Sequence, residues 1–314
     1  MRGLRQVSTR DMPREDWLAL RRKSIGGSDA AGIIGLSKWS SPYSVWADKT
    51  GRLPDKPDNE ALRLGRDLED YVARRFMEET GKKVRRWQAM LYNPDYPFAH
   101  ADIDRWVIGE SAGLECKTTS SLDLKQFKGV EFPERYYAQC VHYMAVTGAD
   151  RWYLAVLVFG RGFFVYVLER DQAEIDALMA AEKDFWADVE SDTAPTPDGS
   201  DPTSESITTI YAESRDTGLE LFGRESLFEE LATLKRQKRA IGERMDEIEN
   251  IIKADMKDAE RGSCGGWKVL WKTQTSRKFQ PNAFKKAFPD IDLTPFYATS
   301  NSRPFKVTEI KEDE

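Results

Sequence analysis

One stretch constrains the fold more than any other, namely His100 to Thr118, with the sequence HADIDRWVIGESAGLECKT. It indicates two extended segments, 98–108 and 113–118, separated by a glycine-containing turn. Side chains alternate along a strand, so Glu115 and Lys117 lie on the same face of the second segment. If the two segments pair as a hairpin, an aspartate of the first segment lies beside Glu115.

The side chains of this predicted hairpin suit a metal-dependent hydrolase. Asp102, Asp104 and Glu115 offer hard oxygen ligands, which Mg²⁺ and Mn²⁺ prefer. Lys117 can orient an attacking water or help to deprotonate it, as metal-assisted phosphodiester hydrolysis requires. Charged residues also alternate along the solvated face of ordinary strands, so the pattern alone leaves both interpretations open.

Composition limits the class of protein. A chain of 314 residues holds one large domain or one domain with an appendage. The net charge is −6, so any nucleic-acid binding must come from local basic patches or from bound metal. The three scattered cysteines indicate no disulfide framework or zinc motif and favour a reducing cytosol. No signal-peptide pattern lies near the start, and the longest apolar run, 152–159, is too short to span a bilayer.

Periodicity predicts the elements of the first part of the chain. Helices are predicted over 14–22, 60–80, 133–147 and 171–190, a strand over 82–93, and a hairpin over 151–170. A glycine-rich stretch places Ser28 where a helix can begin, so that its free N–H groups, with Arg21 or Arg22, could bind a phosphate. An ordinary helix cap at Ser28 explains the same residues.

The composition changes after residue 190. Segment 191–223 is acidic and rich in Pro, Ser and Thr, which predicts a linker. Segment 224–262 predicts a helix with the heptad spacing of a coiled coil, formed within the chain or between subunits. The residues that keep this spacing are Leu227, Leu231, Leu234, Ile241, Met245, Ile248 and Ile252, with Lys238 in one core slot. Segment 263–314 is basic and aromatic, which is typical of a strand-binding module and also of a small β-unit packed on an acidic helix.

Five motifs occur in the order in which one known family has them. They are RRKSIGGSDAAGIIG, GRDLEDYVARRF, ADIDRWV, GLECKT and YYAQCVHYMAVTG, and they lie within about residues 15–160. On this ordered set the chain resembles the YqaJ-like viral recombinase family, relatives of the phage lambda exonuclease in the PD-(D/E)xK nuclease superfamily. The resemblance implies an α/β (α+β) fold with a restriction-endonuclease-like mixed sheet flanked by helices. This core would occupy residues 1–190, followed by the linker, the long C-terminal helix and the small basic appendage.

The resemblance also implies the central residues of the site. Asp104 and Glu115 match the metal-binding carboxylates, and Lys117 matches the catalytic lysine. Asp104 matches the family's acid, in preference to Asp102, because it directly precedes the Arg-Trp pair. Ile103 replaces the usual proline before this acid, a departure at a position that does no chemistry.

Five further residues match positions around that centre. Glu69 matches the helix acid that completes the metal shell, and Gln139 matches a helix glutamine that borders the site. Cys116 replaces an aliphatic residue, and its backbone carbonyl could still ligate metal. Arg21 and Ser28 match the pair that contacts a DNA 5′ phosphate in the exonucleases.

The implied activity is that of an exonuclease that depends on Mg²⁺ (or Mn²⁺). It would digest linear double-stranded DNA 5′→3′ from its ends and leave a 3′ strand for a single-strand annealing protein, as in phage-type homologous recombination. The resemblance further implies a protein encoded by a phage or prophage that works in the cytoplasm of a bacterial host, away from membranes. Relatives form ring-shaped trimers, so a homo-oligomer is expected.

Two alternatives remain open. A structure- or sequence-selective DNA endonuclease could use the same fold, because metal-site chemistry does not specify end dependence. A non-catalytic DNA-binding or assembly protein would carry the same acids as surface residues. An iron–sulfur exonuclease is excluded, because its cluster needs four cysteine ligands and this chain has three cysteines.

Overall fold

The computed structural model describes residues 3–55, 57–121, 125–127, 130–298 and 302–308. The chain divides into two compact units, Met1–Tyr211 and Ala212–Glu314. Every residue of the predicted metal and phosphate sites belongs to the first unit.

The strands of the first unit are β1 (Arg5–Ser8), β2 (Ile25–Gly26), β3 (Val84–Arg86), β4 (Ala89–Tyr92), β5 (Ala99–Asp102), β6 (Arg105–Val107), β7 (Ala112–Thr119), β8 (Lys125–Phe127), β9 (Val130–Phe132), β10 (Arg151–Val158) and β11 (Gly162–Glu169). Its helices are α1 (Arg14–Arg21), α2 (Gly27–Ile33), α3 (Pro42–Lys49), α4 (Glu60–Thr80), α5 (Glu134–Thr147), α6 (Gln172–Glu190) and α7 (Asp201–Ile210). The second unit contains α8 (Glu225–Met256), β12 (Arg261–Cys264), β13 (Trp267–Leu270), α9 (Pro281–Ala287) and a short 3₁₀ helix, Thr294–Phe296.

The predicted mixed α/β fold is confirmed. The larger sheet has the strand order β11-β10-β7-β6-β3, in which β7 and β10 are parallel and the other neighbours are antiparallel. Leu114 of β7 and Ala155 of β10 form an apolar cluster with Phe76 of α4. Leu154 of β10 belongs instead to the main cluster, together with Met144 of α5. Because neighbouring residues of one strand join different clusters, α4 and α5 cover opposite faces of this sheet.

The smaller sheet has the order β1-β4-β5-β2, so β5 and β6 belong to different sheets although only Ile103 and Asp104 separate them. The prediction of one continuous strand over 98–108 was therefore wrong. The single strand predicted over 82–93 was also wrong, because β3 joins the larger sheet and β4 the smaller one. Distant segments select the partner of each strand, and an apolar pattern does not reveal where the chain changes sheets. This change of sheet leaves Asp104 where the two sheets part.

The helices predicted over 14–22, 60–80, 133–147 and 171–190 are confirmed as α1, α4, α5 and α6, and the hairpin predicted over 151–170 is confirmed as β10 and β11. The two helices that flank the larger sheet each end at a glycine in the left-handed conformation. Gly81, after α4, has φ of 70° and Gly148, after α5, has φ of 73°. These glycines stop the helices where the strands that follow must begin.

The predicted acidic linker, 191–223, contains a helix that the sequence analysis did not predict. The side chain of Ser200 caps α7 by accepting a hydrogen bond from the N–H of Thr203. The Thr203 hydroxyl donates to Oγ of Ser41 at 2.7 Å, beside α3, and Ile207 packs against the main apolar cluster. Composition misled the prediction, because the proline, serine and aspartate that are typical of linkers are also the residues that begin helices.

The second unit is dominated by α8, which spans 32 residues and buries none of them. It ends at Met256, short of the predicted limit at residue 262. β12 and β13 then pair as an antiparallel hairpin. Several aromatic side chains of this basic segment are largely exposed, among them Trp267 and Phe296. Across the described residues, no helix combines the length and apolar character that crossing a membrane requires.

Candidate active site

Strand β7 brings the predicted catalytic lysine and a predicted carboxylate together. Leu114 and Cys116 belong to the apolar cluster under α4, so the alternation of side chains turns Glu115 and Lys117 toward α5. Nζ of Lys117 lies 2.5 Å from Oε1 of Glu115. Gln139 of α5 donates a hydrogen bond from Nε2 to the same oxygen at 2.7 Å. Three of the residues predicted for the site therefore form one contact group.

Glu115 has the features of a metal ligand. The residue is 2% exposed, and its second oxygen, Oε2, has no hydrogen-bond partner among the described residues. Burial raises the pKa of Glu115, and the positive charge of Lys117 opposes that rise. A buried oxygen without a partner costs free energy, and a divalent cation bound there would remove this cost.

Asp104 reaches the same site from the link between β5 and β6. Its Oδ2 accepts a hydrogen bond from the N–H of Cys116, the residue after Glu115, at 2.8 Å. Burial raises the pKa of Asp104 well above its usual value, and the negative charges of Glu115 and Glu69 raise it further. A bound cation relieves repulsion of this kind between carboxylates. The donor set fits Mg²⁺, which one or two carboxylates commonly hold while water and substrate phosphate complete the shell.

The neighbouring Asp102 is engaged elsewhere. Its Oδ2 accepts a hydrogen bond from Nε1 of Trp17 in α1 at 2.8 Å. Its backbone carbonyl accepts one from the Tyr143 hydroxyl at 3.0 Å. These contacts favour Asp104 over Asp102 as the carboxylate that accompanies Glu115.

Lys117 is held in its charged form. Burial lowers its pKa, but the negative charges of Glu115 and Asp104 outweigh the burial and raise the pKa above its usual value. The side chain remains 27% exposed. A protonated lysine can donate hydrogen bonds to an oxyanion or to a water molecule.

Glu69, the predicted third acid, lies outside this contact group. NH1 of Arg105 lies 2.5 Å from its Oε1, and a nitrogen of Arg86 lies 3.5 Å from the same oxygen. Arg105 is 3% exposed and also binds Asp70 at 2.5 Å. In the described part of the chain, no three side chains of His, Cys, Asp or Glu lie close enough together to hold one metal ion. The metal-binding role of Glu69 therefore stays a prediction.

The sequence analysis missed Arg105. This residue directly follows Asp104 in the ADIDRWV motif, and NH1 of its guanidinium also donates to the Asp104 carbonyl at 2.7 Å. The signal available in the sequence was an arginine directly after a predicted carboxylate. Its burial, which makes the pairing with acids necessary, is known only from the structure. Arg105 links α4 to the chain at Asp104.

The Cys116 thiol takes no part in the site. It lies in the apolar cluster under α4, and burial together with the charge of Asp104 raises its pKa well above the usual value. A protonated, buried thiol is a poor metal ligand. The predicted ligand is its backbone carbonyl, and that assignment stays a prediction.

The predicted phosphate-binding pair is in contact. NH2 of Arg21 donates to Oγ of Ser28 at 2.7 Å. Arg22 instead forms ion pairs with Asp48 and Asp55 at 3.5 and 2.5 Å. These contacts favour Arg21 over Arg22 as the residue that acts with Ser28.

The prediction that Ser28 opens the helix was wrong. α2 begins at Gly27, and its cap is Gly26, whose N–H donates to Oδ2 of Asp29 at 2.9 Å. The same Asp29 oxygen lies 2.6 Å from Nζ of Lys49. The cap position is closely packed, since a Cβ on Gly26 would lie 2.9 Å from a ring nitrogen of His100. Sequence alone could not reveal this contact, because it depends on a distant strand.

A cavity of about 910 Å³ opens beside Arg21. Its lining includes Trp17, Trp39 and Arg66, and also the acidic residues Asp29, Asp48, Asp55 and Glu205. Trp39 is 69% exposed. This volume is within the range of small-molecule sites. Aromatic and arginine side chains together suit the bases and phosphates of a nucleic acid.

The fold and the carboxylate–lysine group on β7 can now be compared with known proteins. The model of the YqaJ-like viral recombinase domain matches residues 16–150, a span that includes every predicted site residue from Arg21 to Gln139. The chain is 41% identical over 288 residues to protein YqaJ of Bacillus subtilis (strain 168), and the match covers 90% of each chain. The chain belongs to the YqaJ-like viral recombinase family.

Solved structures similar to this chain include exonucleases. One is the alkaline exonuclease LHK-Exo from Laribacter hongkongensis, at 20% identity and a TM-score of 0.43, with 57% of this chain and 94% of that chain covered. LHK-Exo has also been solved in complex with dAMP. Another is a phage-related exonuclease from Haemophilus somnus 129PT, at 14% identity and a TM-score of 0.42, with 56% and 99% covered.

Proposed function

We propose that this protein is a deoxyribonuclease that depends on Mg²⁺ (or Mn²⁺) and digests linear double-stranded DNA 5′→3′. The observation that supports the proposal most is the buried Glu115. Lys117 contacts one of its oxygens, no described residue hydrogen-bonds to the other, and Asp104 lies beside it. Carboxylates and a lysine in this arrangement are the equipment of metal-assisted phosphodiester hydrolysis. Membership in a viral recombinase family supports DNA as the substrate and recombination as the context.

In the proposed reaction, the cation and the side chains of the protein have separate roles. A divalent cation held by Asp104 and Glu115 would stabilise charge on the phosphoryl group and lower the pKa of an attacking water. Gln139 fixes Glu115 through the hydrogen bond to Oε1. Lys117 donates a hydrogen bond to the attacking water or to a phosphoryl oxygen, where negative charge develops in the transition state.

The proposed direction of digestion rests on Arg21 and Ser28. A guanidinium and a hydroxyl in contact offer several donors to one phosphate, and charge-assisted bonds of this kind are the strong ones. A 5′ phosphate bound there would bias the enzyme toward 5′ ends. The remaining 3′ strand is then the substrate of a single-strand annealing protein, which is the proposed partner.

A duplex assay tests this function directly. Linear DNA with 5′-phosphate, 5′-hydroxyl or blocked ends is incubated beside closed-circular DNA, with Mg²⁺ or Mn²⁺ and with EDTA. In the presence of metal we expect digestion of the linear substrates with free ends, fastest for 5′-phosphate ends, while blocked ends and closed circles persist. Cutting of closed circles would indicate an endonuclease, and no cutting with either metal would indicate a DNA-binding protein without catalysis.

The phosphate-binding role of Arg21 has its own test. We expect Arg21→Ala to slow digestion of 5′-phosphorylated ends about tenfold or more relative to 5′-hydroxyl ends, because a hydrogen bond to a charged group contributes ~1.5–3 kcal/mol. Ser28→Ala should lower the ratio of the rate on 5′-phosphate ends to the rate on 5′-hydroxyl ends as well, by a smaller factor. The measurement is the initial rate on each type of end.

Arg22→Ala is the matched control, since Arg22 directly follows Arg21 but pairs with Asp48 and Asp55. This control should leave the ratio between the two ends unchanged. If Arg21→Ala lowers the digestion rate equally on 5′-phosphate and 5′-hydroxyl ends, Arg21 does not bind the 5′ phosphate.

A further inference from the structure

Lys49, the last residue of α3, is a buried lysine outside the residues of the proposed reaction. Its side chain is 1% exposed. Nζ donates to the backbone carbonyls of Arg21 at 3.0 Å and of Ser24 at 2.9 Å, and it lies 2.6 Å from Oδ2 of Asp29. These three acceptors match the three N–H donors of an ammonium group, whereas a neutral amine has only two.

The acceptors of Lys49 belong to three successive segments of the chain. Arg21 ends α1, Ser24 directly precedes β2, and Asp29 lies in the first turn of α2. The first and the last of these segments also carry the two residues that are proposed to bind a 5′ phosphate, Arg21 and Ser28. Lys49 therefore fixes the end of α1 relative to the start of α2 at the proposed phosphate site.

The carboxylate of Asp29 lies close to the proposed phosphate ligand Arg21. Its Oδ1 is 3.7 Å from NH2 of Arg21, and both residues line the same cavity. Burial raises the pKa of Asp29, but the positive charges of Lys49 and Arg21 outweigh the burial and hold this pKa well below its usual value. The carboxylate is therefore ionised, and an ionised carboxylate competes with a phosphate for the same guanidinium.

Lys49 is the closer of the two cations that contact Asp29. The ammonium lies 2.6 Å from Oδ2, whereas the guanidinium of Arg21 lies 3.7 Å from Oδ1. The N–H of Gly26 also donates to Oδ2, at 2.9 Å, so two donors hold the carboxylate at this oxygen. NH2 of Arg21 makes its short contact with Oγ of Ser28, at 2.7 Å, and the Arg21 side chain is 26% exposed. Arg21 therefore retains donors for a further anion.

We propose that Lys49 is a positioning residue that sets the preference for 5′-phosphate ends, because it pairs with Asp29 and so keeps Arg21 available to the phosphate. This inference rests on the phosphate-binding role proposed for Arg21. The three side chains carry two positive charges and one negative charge, which leaves the group net positive. Without Lys49 the charges would cancel, and Arg21 would be the remaining cation for a carboxylate that needs a partner.

The binding of DNA ends in EDTA tests this role without catalysis. Fluorescence anisotropy of a labelled hairpin duplex, which has a single open end, gives the dissociation constants for a 5′-phosphate and for a 5′-hydroxyl end. The ratio of the two constants is the preference for phosphate. We expect Lys49→Met to lower this preference about tenfold, as the loss of a charge-assisted contact with the phosphate would. Methionine is unbranched and apolar, so it fills the space of the buried lysine stem.

Asp29→Asn separates this role from a purely structural one. Asparagine keeps an oxygen that can accept from Gly26 and Lys49, but it removes the negative charge. In the double variant Lys49→Met with Asp29→Asn, no carboxylate competes for Arg21, so we expect the wild-type preference for phosphate to return. Asp29→Asn alone should keep this preference at or above the wild-type value. It retains Lys49, so it gives a result even if Lys49→Met does not fold.

Lys23→Met is the matched control, because Lys23 is an exposed lysine two residues from Arg21. It should leave the preference for phosphate unchanged. A wild-type preference in Lys49→Met, no recovery in the double variant, or a lower preference in Asp29→Asn would each overturn the role of Lys49 alone. Equal binding of both ends by the wild type would overturn the phosphate-binding role of Arg21 as well.

Discussion

Lys117→Ala is expected to lower the rate of DNA digestion by about 10²- to 10⁴-fold, the contribution typical of a positioned group in proton transfer or charge stabilisation. Lys117 lies 2.5 Å from Glu115 and is 27% exposed, so its loss removes the proposed donor to the phosphate. It also leaves the buried Glu115 carboxylate without its cation, so a lower stability is expected beside the lower rate. Most of the DNA binding should persist. The measurements are initial rates on end-labelled duplex with Mg²⁺, together with DNA affinity in the absence of metal.

Lys183→Ala controls for the loss of one positive charge, because Lys183 is exposed on α6. It should digest DNA at the wild-type rate. Wild-type digestion by Lys117→Ala would exclude the proposed catalytic role of this residue. A circular dichroism spectrum equal to that of the wild type would show that the variant is folded.

Glu182→Ala is expected to lower the free energy of unfolding by about 3–5 kcal/mol, because it leaves the partner of a buried ion pair uncompensated. His142 and Glu182 are both fully buried, and Nδ1 of His142 lies 2.9 and 3.0 Å from the two carboxylate oxygens. Nε2 of His142 lies 2.8 Å from the His100 carbonyl, which can only accept, so Nε2 donates there. A protonated imidazole would donate from Nδ1 to Glu182 as well, and the charge of Glu182 favours this form. Urea denaturation followed by tryptophan fluorescence measures the change.

Asp184→Ala, an exposed position on the same helix, should change the free energy of unfolding by no more than about 0.5 kcal/mol. If Glu182→Ala lowers the free energy of unfolding by no more than Asp184→Ala does, the His142–Glu182 pair does not stabilise the protein. The His142–Glu182 pair joins α5 to α6 behind the candidate active site.

The pair further predicts a pH dependence. Burial lowers the pKa of His142, but the charge of Glu182 outweighs it and raises the pKa above the usual value. The pKa of His142 is higher in the folded protein than in the unfolded chain, where it is near 6.5. The charged His142 therefore stabilises the fold fully at pH values below 6.5, and this stabilisation is lost as the pH rises through the folded-state pKa. In Glu182→Gln the charge that most raises the pKa of His142 is lost, while the burial that lowers it remains. The stability deficit of this variant should therefore grow as the pH falls from about 8 to about 6. A deficit that is constant over this range would contradict a charged His142.

Several helices and strands were predictable from the sequence because the patterns that indicate them involve residues close together in the chain. Strand alternation at β7 was enough to place Glu115 and Lys117 on one face, and Gly81 and Gly148 marked two helix ends. The ordered motifs identified the family from the same local residues. Ser28, by contrast, was misplaced, because α2 begins at Gly27 and its cap is Gly26, a glycine that lies close to His100.

By itself, the sequence determined the helix and strand types around the site, the shared face of Glu115 and Lys117, and the heptad stripe of α8, since each depends on residues near one another in the chain. Only the tertiary structure decided that β5 and β6 enter different sheets at Asp104 and that Arg105 pairs with Glu69. These outcomes depend on which distant groups compete for the same partner. The free energy of each polar or ionic contact depends on how deeply its groups are buried. The burial of a group is defined only once the chain has folded.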